Sequence, residues 1–240
     1  MKIAKLLPAA VLTLNFTLQN LNCFSQPPFS RVDTVKVKIG ASYITNPWAG
    51  GHNFCQFSPF DFNGDGIKDL FVFDKTGNKV TTYLNTGTVN TVSYTHAPQY
   101  EKLFPPVTRF CLIRDYNCDG KEDIFTYPVS VAGIRVYKNT TVVPGNLQFQ
   151  MVSGLLYTQY PSITTNLYVS PVDIPAIRDL DNDGDLDVLS FDVGGVKVVY
   201  HKNMSQENGW GCDSLKFEVD KDCWGYFTEV GIARHTDDIA

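Results

Sequence analysis

The chain has 240 residues, of which 43% are hydrophobic and 13% aromatic, while only 19% are charged. This composition is typical of a folded globular protein with a sizeable core and excludes an intrinsically disordered chain. The formal net charge is −5 at pH 7 and no run of lysine or arginine occurs. A nucleic-acid partner is therefore not expected, and neither is a polybasic membrane-binding patch.

Residues 1–25 have the layout of a secretory signal peptide. Lys2 and Lys5 give a basic start, residues 6–18 form an apolar centre, and the small residue Ser25 ends the segment. The apolar run is too short, and too interrupted by polar residues, to span a bilayer. A buried N-terminal helix is the alternative. We expect a protein without a membrane span that is secreted or held at the cell surface.

Five cysteines follow this segment in a chain bound for an oxidising compartment, where disulfides form. They are Cys55, Cys111, Cys118, Cys212 and Cys223. The odd number leaves at least one unpaired. Cys212 and Cys223 bracket a strand-like run, DSLKFEVDKD, and their spacing fits no zinc pattern, so we predict a disulfide between them. The alternative is that all five are buried or free thiols.

Next in chain order, residues 26–49 are interpreted as an outer strand (29–40, FSRVDTVKVKIG) and a linker, and three copies of one acidic motif come after them. The copies are DFNGDGIKDLFVF from residue 61, DYNCDGKEDIFTY from residue 115 and DLDNDGDLDVLSF from residue 179. All three have Asp at positions one, five and nine, Asn or Asp at position three, and Gly at position six. This agreement indicates an internal repeat.

Each copy continues with the same pattern. Alternating apolar residues lead into a turn with glycine and then into a second strand-like run that ends in Asn, 24 positions after the first Asp of the motif. These pairs are Asp61 and Asn85, Asp115 and Asn139, and Asp179 and Asn203. A further strand-like segment precedes each acidic loop and another follows the second run, so each repeat is predicted to contain four short strands.

Four short strands with a period near fifty residues, and no helical period, favour a β-propeller blade over a solenoid coil or a sandwich. We predict an all-β fold with three complete four-stranded blades in residues 50–240, at about 50–105, 106–160 and 161–225, plus partial flanking strands. A closed propeller needs roughly four to eight blades, so this one is predicted to be incomplete. We favour a fragment of a longer protein over edges covered by another chain, because an open blade edge promotes aggregation.

The acidic motif offers only hard oxygen donors. Side chains at positions one, three, five and nine and the backbone carbonyl at position seven can surround an ion, while glycine at position six permits the sharp turn. Such donors predict Ca²⁺, in up to three sites, with the tightest at the third. The predicted ligands are Asp61, Asn63, Asp65, Ile67, Asp69, Asp115, Asn117, Asp119, Lys121, Asp123, Asp179, Asp181, Asp183, Asp185 and Asp187, with Ile67, Lys121 and Asp185 acting through their backbone carbonyls.

Two other interpretations fit parts of this pattern. An EF-hand needs a bidentate Glu at position twelve and flanking helices, but position twelve is Val72, Thr126 or Ser190, inside a predicted strand. The second interpretation is that Asp and Asn side chains form turns with their own backbone and bind no metal. Mutual repulsion among so many carboxylates argues for a bound cation.

At these residues, over about 50–220, the chain resembles the FG-GAP and VCBS repeat family of integrin-alpha-type propellers. The resemblance implies that each blade carries its calcium loop between its first and second strands. It also implies a non-catalytic extracellular scaffold for adhesion or recognition, whose partner is a protein or a glycan. The signal peptide and the style of the motifs resemble long secreted proteins of the Bacteroidetes type.

Two alternative functions stay open. The repeats could belong to a larger secreted enzyme, a lyase or a hydrolase, although the four histidines form no metal-ligand spacing and no G-x-S-x-G, H-E-x-x-H or phosphate loop occurs. The repeats could also bind glycans through exposed aromatic residues such as Trp48, Trp210 and Trp224. The alternative for these tryptophans is that they pack between blades.

Overall fold

A computed structural model describes residues 32, 34–88, 93–226 and 228–229. The predicted signal peptide, residues 1–25, lies outside the described residues, as do residues 26–31 of the predicted outer strand and linker. Within the described part, the secondary structure is β-strand apart from two short 3₁₀ turns, Glu101–Leu103 and Trp224–Tyr226. The predicted all-β class is confirmed for this part of the chain.

The chain begins its described part with a small hairpin. Strands β1 (Lys38–Ile39) and β2 (Ser42–Tyr43) pair with each other in an antiparallel sheet of two strands. The described part of the predicted outer strand is therefore a two-residue strand that pairs within its own hairpin.

The first two repeats each form the predicted sheet of four antiparallel strands. The first sheet contains β3 (Cys55–Phe60), β4 (Asp69–Asp74), β5 (Lys79–Asn85) and β6 (Tyr94–His96), in chain order. The second contains β7 (Cys111–Arg114), β8 (Asp123–Thr126), β9 (Arg135–Asn139) and β10 (Phe149–Ser153), also in chain order.

The third sheet has six strands, so the predicted four-stranded blade is wrong for this sheet, although the repeat itself supplies the four predicted strands. Its repeat supplies β13 (Ala176–Arg178), β14 (Asp187–Phe191), β15 (Val198–Asn203) and β16 (Phe217–Lys221), and a hairpin of β11 (Tyr157–Gln159) and β12 (Thr164–Asn166) extends the sheet. Strand β11 pairs in parallel with β16. Tyr and Thr favour strands, and Thr158 is buried in this sheet. The hairpin spans the predicted repeat boundary at 160.

Two apolar clusters join the three sheets. The first contains Phe60, Phe71 and Phe73 of the first sheet with Cys111, Ile113 and Ile124 of the second. The second contains Phe110, Phe125 and Val136 of the second sheet with Ile177, Val188 and Phe217 of the third. Because side chains alternate between the two faces of a strand, each face of the second sheet packs against a different neighbour. The acidic loops are therefore attached to sheets that pack against one another.

The outer face of the first sheet has no such neighbour in the described part of the chain. Phe57 precedes its acidic loop by the same number of positions as Cys111 precedes the next one. Cys111 is fully buried between the first two sheets, whereas Phe57 is 67% exposed. An apolar position that is part of the core in the second repeat is thus at the surface in the first.

Candidate functional site

Three acidic loops connect the first and second strands of the three sheets. Loop 1 (61–69) lies between β3 and β4, loop 2 (115–123) between β7 and β8, and loop 3 (179–187) between β13 and β14. The prediction that Asp61, Asp115 and Asp179 each stand at the end of a first strand is confirmed. The three loops repeat one arrangement of side chains.

The aspartate at position nine is buried and anchors the loop to the sheet. In loop 3, the Asp187 carboxylate accepts hydrogen bonds from the backbone N–H of Leu180 at 3.0 Å and of Asn203 at 2.9 Å. The equivalent bonds join Asp69 to Phe62 and Asn85 in loop 1, and Asp123 to Tyr116 and Asn139 in loop 2. Each carboxylate therefore ties the loop to the strand that ends in Asn, which explains the constant offset of 24 residues.

Burial changes the acidity of these anchoring groups. It raises the pKa of Asp69 and Asp187, and it raises the pKa of Asp123 to about 6, because the charged form loses its hydration. The backbone N–H donors oppose this effect by stabilising the carboxylate. The position-nine aspartates are thus structural groups as well as predicted ligands.

The aspartates at positions one and five hold the turn of each loop. In loop 3, Asp179 accepts from the N–H of Asn182 at 2.7 Å and of Gly184 at 3.1 Å, and Asp183 accepts from the N–H of Asp185 at 3.0 Å. These are the side-chain-to-backbone turns of the metal-free interpretation. They do not exclude a cation, because a carboxylate has about four lone-pair sites.

The backbone of each loop turns sharply at two positions. Glycine at position six has positive φ in all three loops, as predicted, with a value of 103° at Gly184. Position four also has positive φ, at Gly64, Cys118 and Asn182 (73°, 57° and 64°). Sequence comparison alone missed position four because three different residues occupy it.

Loop 3 brings its carboxylates closest together. One oxygen from each of Asp179, Asp181 and Asp187 lies within 4.8 Å of the others, and a second group consists of Asp181, Asp183 and Glu207. Within the described residues, loops 1 and 2 contain no such group of three acidic side chains, because Asn occupies position three. Sequence reasoning missed Glu207, which follows β15 and lies outside the motif.

A lysine that sequence reasoning also missed lies against loop 3. The Lys202 ammonium forms ion pairs with Asp181 and Glu207 and is 3.7 Å from Asp183. Its hydrogen bond to Asp181 raises the pKa of Lys202. In loop 2 the equivalent Lys138 is 4.0 Å from Asp119. In the described structure, these lysines supply part of the positive charge that the acidic loops require.

Several oxygens in the loops have no hydrogen-bond donor. Asn117 Oδ1 at position three of loop 2 and Asp183 Oδ2 at position five of loop 3 are buried atoms without a hydrogen-bond partner in the described structure. Buried acceptors normally have a partner. The side-chain atoms that could bind a metal in these loops are all hard oxygens, so the residues present are compatible with a hard divalent cation such as Ca²⁺.

The residues at position seven have varied side-chain environments. Asp185 is 1% exposed, its Oδ2 accepts from the N–H of Gln206 at 3.0 Å, and burial raises its pKa to about 6. The Lys121 ammonium donates to the carbonyl of Thr141 at 2.9 Å, and Ile67 is partly exposed. Calcium ligation through the backbone carbonyls of Ile67, Lys121 and Asp185 stays a prediction.

The disulfide differs from the one we predicted. Cys212 is bonded to Cys118, at position four of loop 2, with a Cα–Cα distance of 5.9 Å. The predicted Cys212–Cys223 bridge is wrong because strand β16, Phe217–Lys221, lies between the two residues. Five extended residues span about 17 Å, whereas a disulfide needs Cα atoms within about 7 Å. The observed bridge ties loop 2 to the connection between β15 and β16.

The three tryptophans of the described chain are partly exposed, and neither apolar cluster contains them. Trp48, Trp210 and Trp224 are 44%, 51% and 36% exposed. This partial exposure is compatible with glycan binding by these residues, which stays a prediction. No helix among the described residues is long and apolar enough to cross a membrane.

Comparison with known proteins shows a similarity to a repeat family. The sequence model of the FG-GAP-like repeat family matches residues 61–126, from the start of loop 1 to the end of β8. This match supports the resemblance for the first two acidic loops. No curated protein and no solved structure matches the chain.

Proposed function

We propose that this protein is a non-catalytic, calcium-binding repeat scaffold that acts outside the cell in adhesion or recognition. The FG-GAP-like match over residues 61–126 supports a repeat scaffold. A disulfide between Cys118 and Cys212 is typical of proteins in oxidising compartments. Calcium holds the acidic loops in shape, and the stacked sheets present the loops that contact the partner.

The proposal rests mainly on a cluster of three carboxylates, from Asp179, Asp181 and Asp187. One oxygen of each lies within 4.8 Å of the others. At an effective dielectric constant of about 20, two charges this close repel by about 3 to 4 kcal/mol. A divalent cation reverses the sign of this interaction. The proposed ligands at loop 3 are these three carboxylates, the Asp183 carboxylate and the backbone carbonyl of Asp185.

Lys202 competes with calcium for loop 3. Its ammonium already pairs with Asp181 and is 3.7 Å from Asp183, so a bound ion must displace it. Loop 1 has Leu84 at the equivalent position and therefore has no such competitor at that position. Two opposing effects therefore set the calcium affinity of loop 3. Its additional carboxylates strengthen binding, and the displacement of Lys202 weakens it.

The third sheet contains a serine–histidine pair that resembles part of a hydrolase site but is buried. Ser190 Oγ is 3.2 Å from His201 Nε2, and His201 Nδ1 is 3.1 Å from Thr158 Oγ1. Ser190 is 5% and His201 2% exposed, so a substrate cannot reach them. Burial also lowers the pKa of His201 to about 4. We assign this group a structural role.

The proposed partner is an extracellular protein or a glycan. The exposed Trp48, Trp210 and Trp224 supply the flat apolar surfaces on which sugar rings can stack, and they support the glycan alternative. A glycan array probed with the calcium-loaded chain distinguishes the two classes. Binding that Trp210→Ala abolishes favours a glycan, and an array without binding favours a protein.

Calorimetric titration of the chelated protein with Ca²⁺ tests the ion-binding part of the proposal. We expect up to three sites, and we expect Asp181→Ala to remove one of them. Ser190→Ala, in the strand that follows loop 3, is the matched control and should bind as the parent does. Equal calcium content in the parent and Asp181→Ala would overturn the assignment of loop 3.

A further inference from the structure

Three metal-binding groups of different chemistry meet at the outer edge of the first sheet. A ring nitrogen of His52, the Cys55 sulfur and an Asp74 carboxylate oxygen lie within 4.8 Å of one another. We propose that these residues bind a zinc-type transition-metal ion. This site is separate from the three acidic loops and does not depend on the proposed calcium function.

The sheet itself brings these residues together. Cys55 and Asp74 are directly opposite each other on the antiparallel strands β3 and β4, so their side chains share one face. His52 lies three residues before Cys55, in the turn that enters β3. Asp74 fixes this turn by accepting from the N–H of Asn53 at 2.8 Å and of Phe54 at 3.3 Å.

The Asp74 carboxylate retains capacity for a metal. Besides those two bonds it accepts one from the N–H of Thr76 at 2.9 Å. Three hydrogen bonds use three of the roughly four lone-pair sites of a carboxylate. One site is left for an ion, and the backbone bonds hold the group in a fixed orientation.

A hydrogen bond to the Tyr83 hydroxyl orients the His52 ring. Its Nε2 is 3.1 Å from the Tyr83 hydroxyl, and that hydroxyl donates to the carbonyl of Ala49 at 3.0 Å. Since the hydroxyl proton is used on Ala49, the hydroxyl oxygen accepts from Nε2–H of His52. Nδ1 then carries the lone pair that a metal needs, as in metal sites where the second ring nitrogen is fixed by a hydrogen bond.

The donor set selects the ion. Nitrogen, thiolate and carboxylate ligands suit Zn²⁺ and related ions, whereas Ca²⁺ takes oxygen ligands. Three protein ligands leave the fourth tetrahedral position for water or a group of a partner. Ligands of tetrahedral zinc lie about 3.3 to 3.8 Å apart, so atoms that lie within 4.8 Å of one another need to close by at most about 1.5 Å. Binding releases the Cys55 thiol proton.

Sequence reasoning rejected metal ligation by the histidines because no ligand spacing was apparent. The His52-x-x-Cys55 pair is short enough to notice, but Asp74 is 19 positions further along the chain. Only the pairing of β3 with β4 brings that carboxylate to the thiol. The other thiols of the described residues are not part of this group.

Titration of the calcium-saturated full chain with Co²⁺, followed by the thiolate-to-cobalt charge-transfer band, tests the proposal. Excess calcium limits cobalt binding to oxygen ligands, and only a cysteine ligand gives the band, so the readout does not depend on calcium binding by the acidic loops. We expect one equivalent of Co²⁺ to give the band and an added equivalent of Zn²⁺ to abolish it. Cys55→Ser should remove the band, whereas Cys111→Ala, which deletes a thiol buried in the core, should keep it.

Two further variants keep the test decisive if Cys55→Ser does not fold. His52 is exposed, so His52→Ala should fold and should weaken cobalt binding at least about tenfold. Tyr83→Phe should weaken it about 10- to 100-fold through the lost hydrogen bond to the ring. The absence of a charge-transfer band in the parent, a band that persists in Cys55→Ser, or unchanged affinity in His52→Ala would each overturn the proposal.

Discussion

The backbone N–H of Asn203 donates a hydrogen bond to Oδ1 of Asp187 across 2.9 Å, linking the end of β15 to the last residue of loop 3. The same bond joins Asn85 to Asp69 and Asn139 to Asp123. An acidic residue that a metal-loop pattern assigns to the ion thus also closes the hairpin behind the loop. The aspartate at position nine therefore differs from the other aspartates of the motif, because it links its loop to the strand that ends in Asn.

The first prediction is that Asp187→Ala destabilises the fold with or without calcium. The change removes the acceptor of the buried Asn203 N–H and of the partly buried Leu180 N–H, at a cost of up to about 1 to 3 kcal/mol for each group. Asp181→Ala, at position three, should change the free energy of unfolding much less when calcium is absent. Urea unfolding of both variants in a chelator makes the comparison. Equal losses would show that position nine has no special structural role.

The second prediction is that Lys202→Met tightens calcium binding at loop 3. Removing the ammonium that pairs with Asp181 and Glu207 removes a competing cation. The same change should destabilise the ion-free protein, because the carboxylates then repel one another without compensation. Calorimetric titration measures the affinity, and Lys221→Met, which changes an exposed lysine paired with Asp220, is the control. A weaker affinity in Lys202→Met would contradict the competition.

The third prediction concerns the Cys118–Cys212 bridge, whose cysteines are 94 residues apart. Closing a loop of this length stabilises a fold by about 4 to 5 kcal/mol in the chain-entropy model. Replacing both cysteines with serine should therefore lower the melting temperature, as should mild reduction. Peptide mapping without reduction should recover the Cys118 and Cys212 peptides joined. A fragment that joins Cys212 to Cys223 would contradict the observed pairing.

The fourth prediction is a pH dependence of stability from His201. Burial lowers its pKa to about 4 in the folded protein, compared with about 6.5 in an unfolded chain. Between these values the unfolded chain binds a proton that the folded protein does not. The contribution is therefore fully present above about pH 6.5 and is lost as pH falls toward 4, on the order of 3 kcal/mol in total.

A matched variant isolates this contribution. His201→Gln keeps a polar group near Ser190 and Thr158 but does not titrate. Asp123 and Asp185, whose pKa burial raises to about 6, favour the folded state at low pH and lose that contribution as pH rises. They do so in both proteins, so their effect cancels in the comparison. Urea unfolding from pH 7 to 4 should show a steeper loss in the parent, and parallel curves would contradict the assignment.

The repeated pattern made the loops and hairpins predictable, because alternation, glycine turns and the constant Asp–Asn offset are all local features. Contacts between repeats could not be predicted in the same way. The Cys118–Cys212 bridge joins two repeats and depends on how their sheets stack. The Lys202–Glu207 ion pair lies within the third repeat and depends on the course of the connection after β15. The β11–β12 hairpin was missed because its polar composition is typical of a loop, although Thr158 is buried in the sheet.

Calorimetric melting of the protein with and without calcium tests the central claim most directly. An ion that binds the folded loops and not the unfolded chain stabilises by about 2.7 kcal/mol per site at a hundredfold excess over Kd. We predict a clear rise in melting temperature with Ca²⁺, little rise with Mg²⁺, which demands a tighter octahedral shell, and a smaller calcium effect in Asp183→Ala. Identical melting of the chelated and calcium-loaded parent would contradict a calcium-stabilised scaffold.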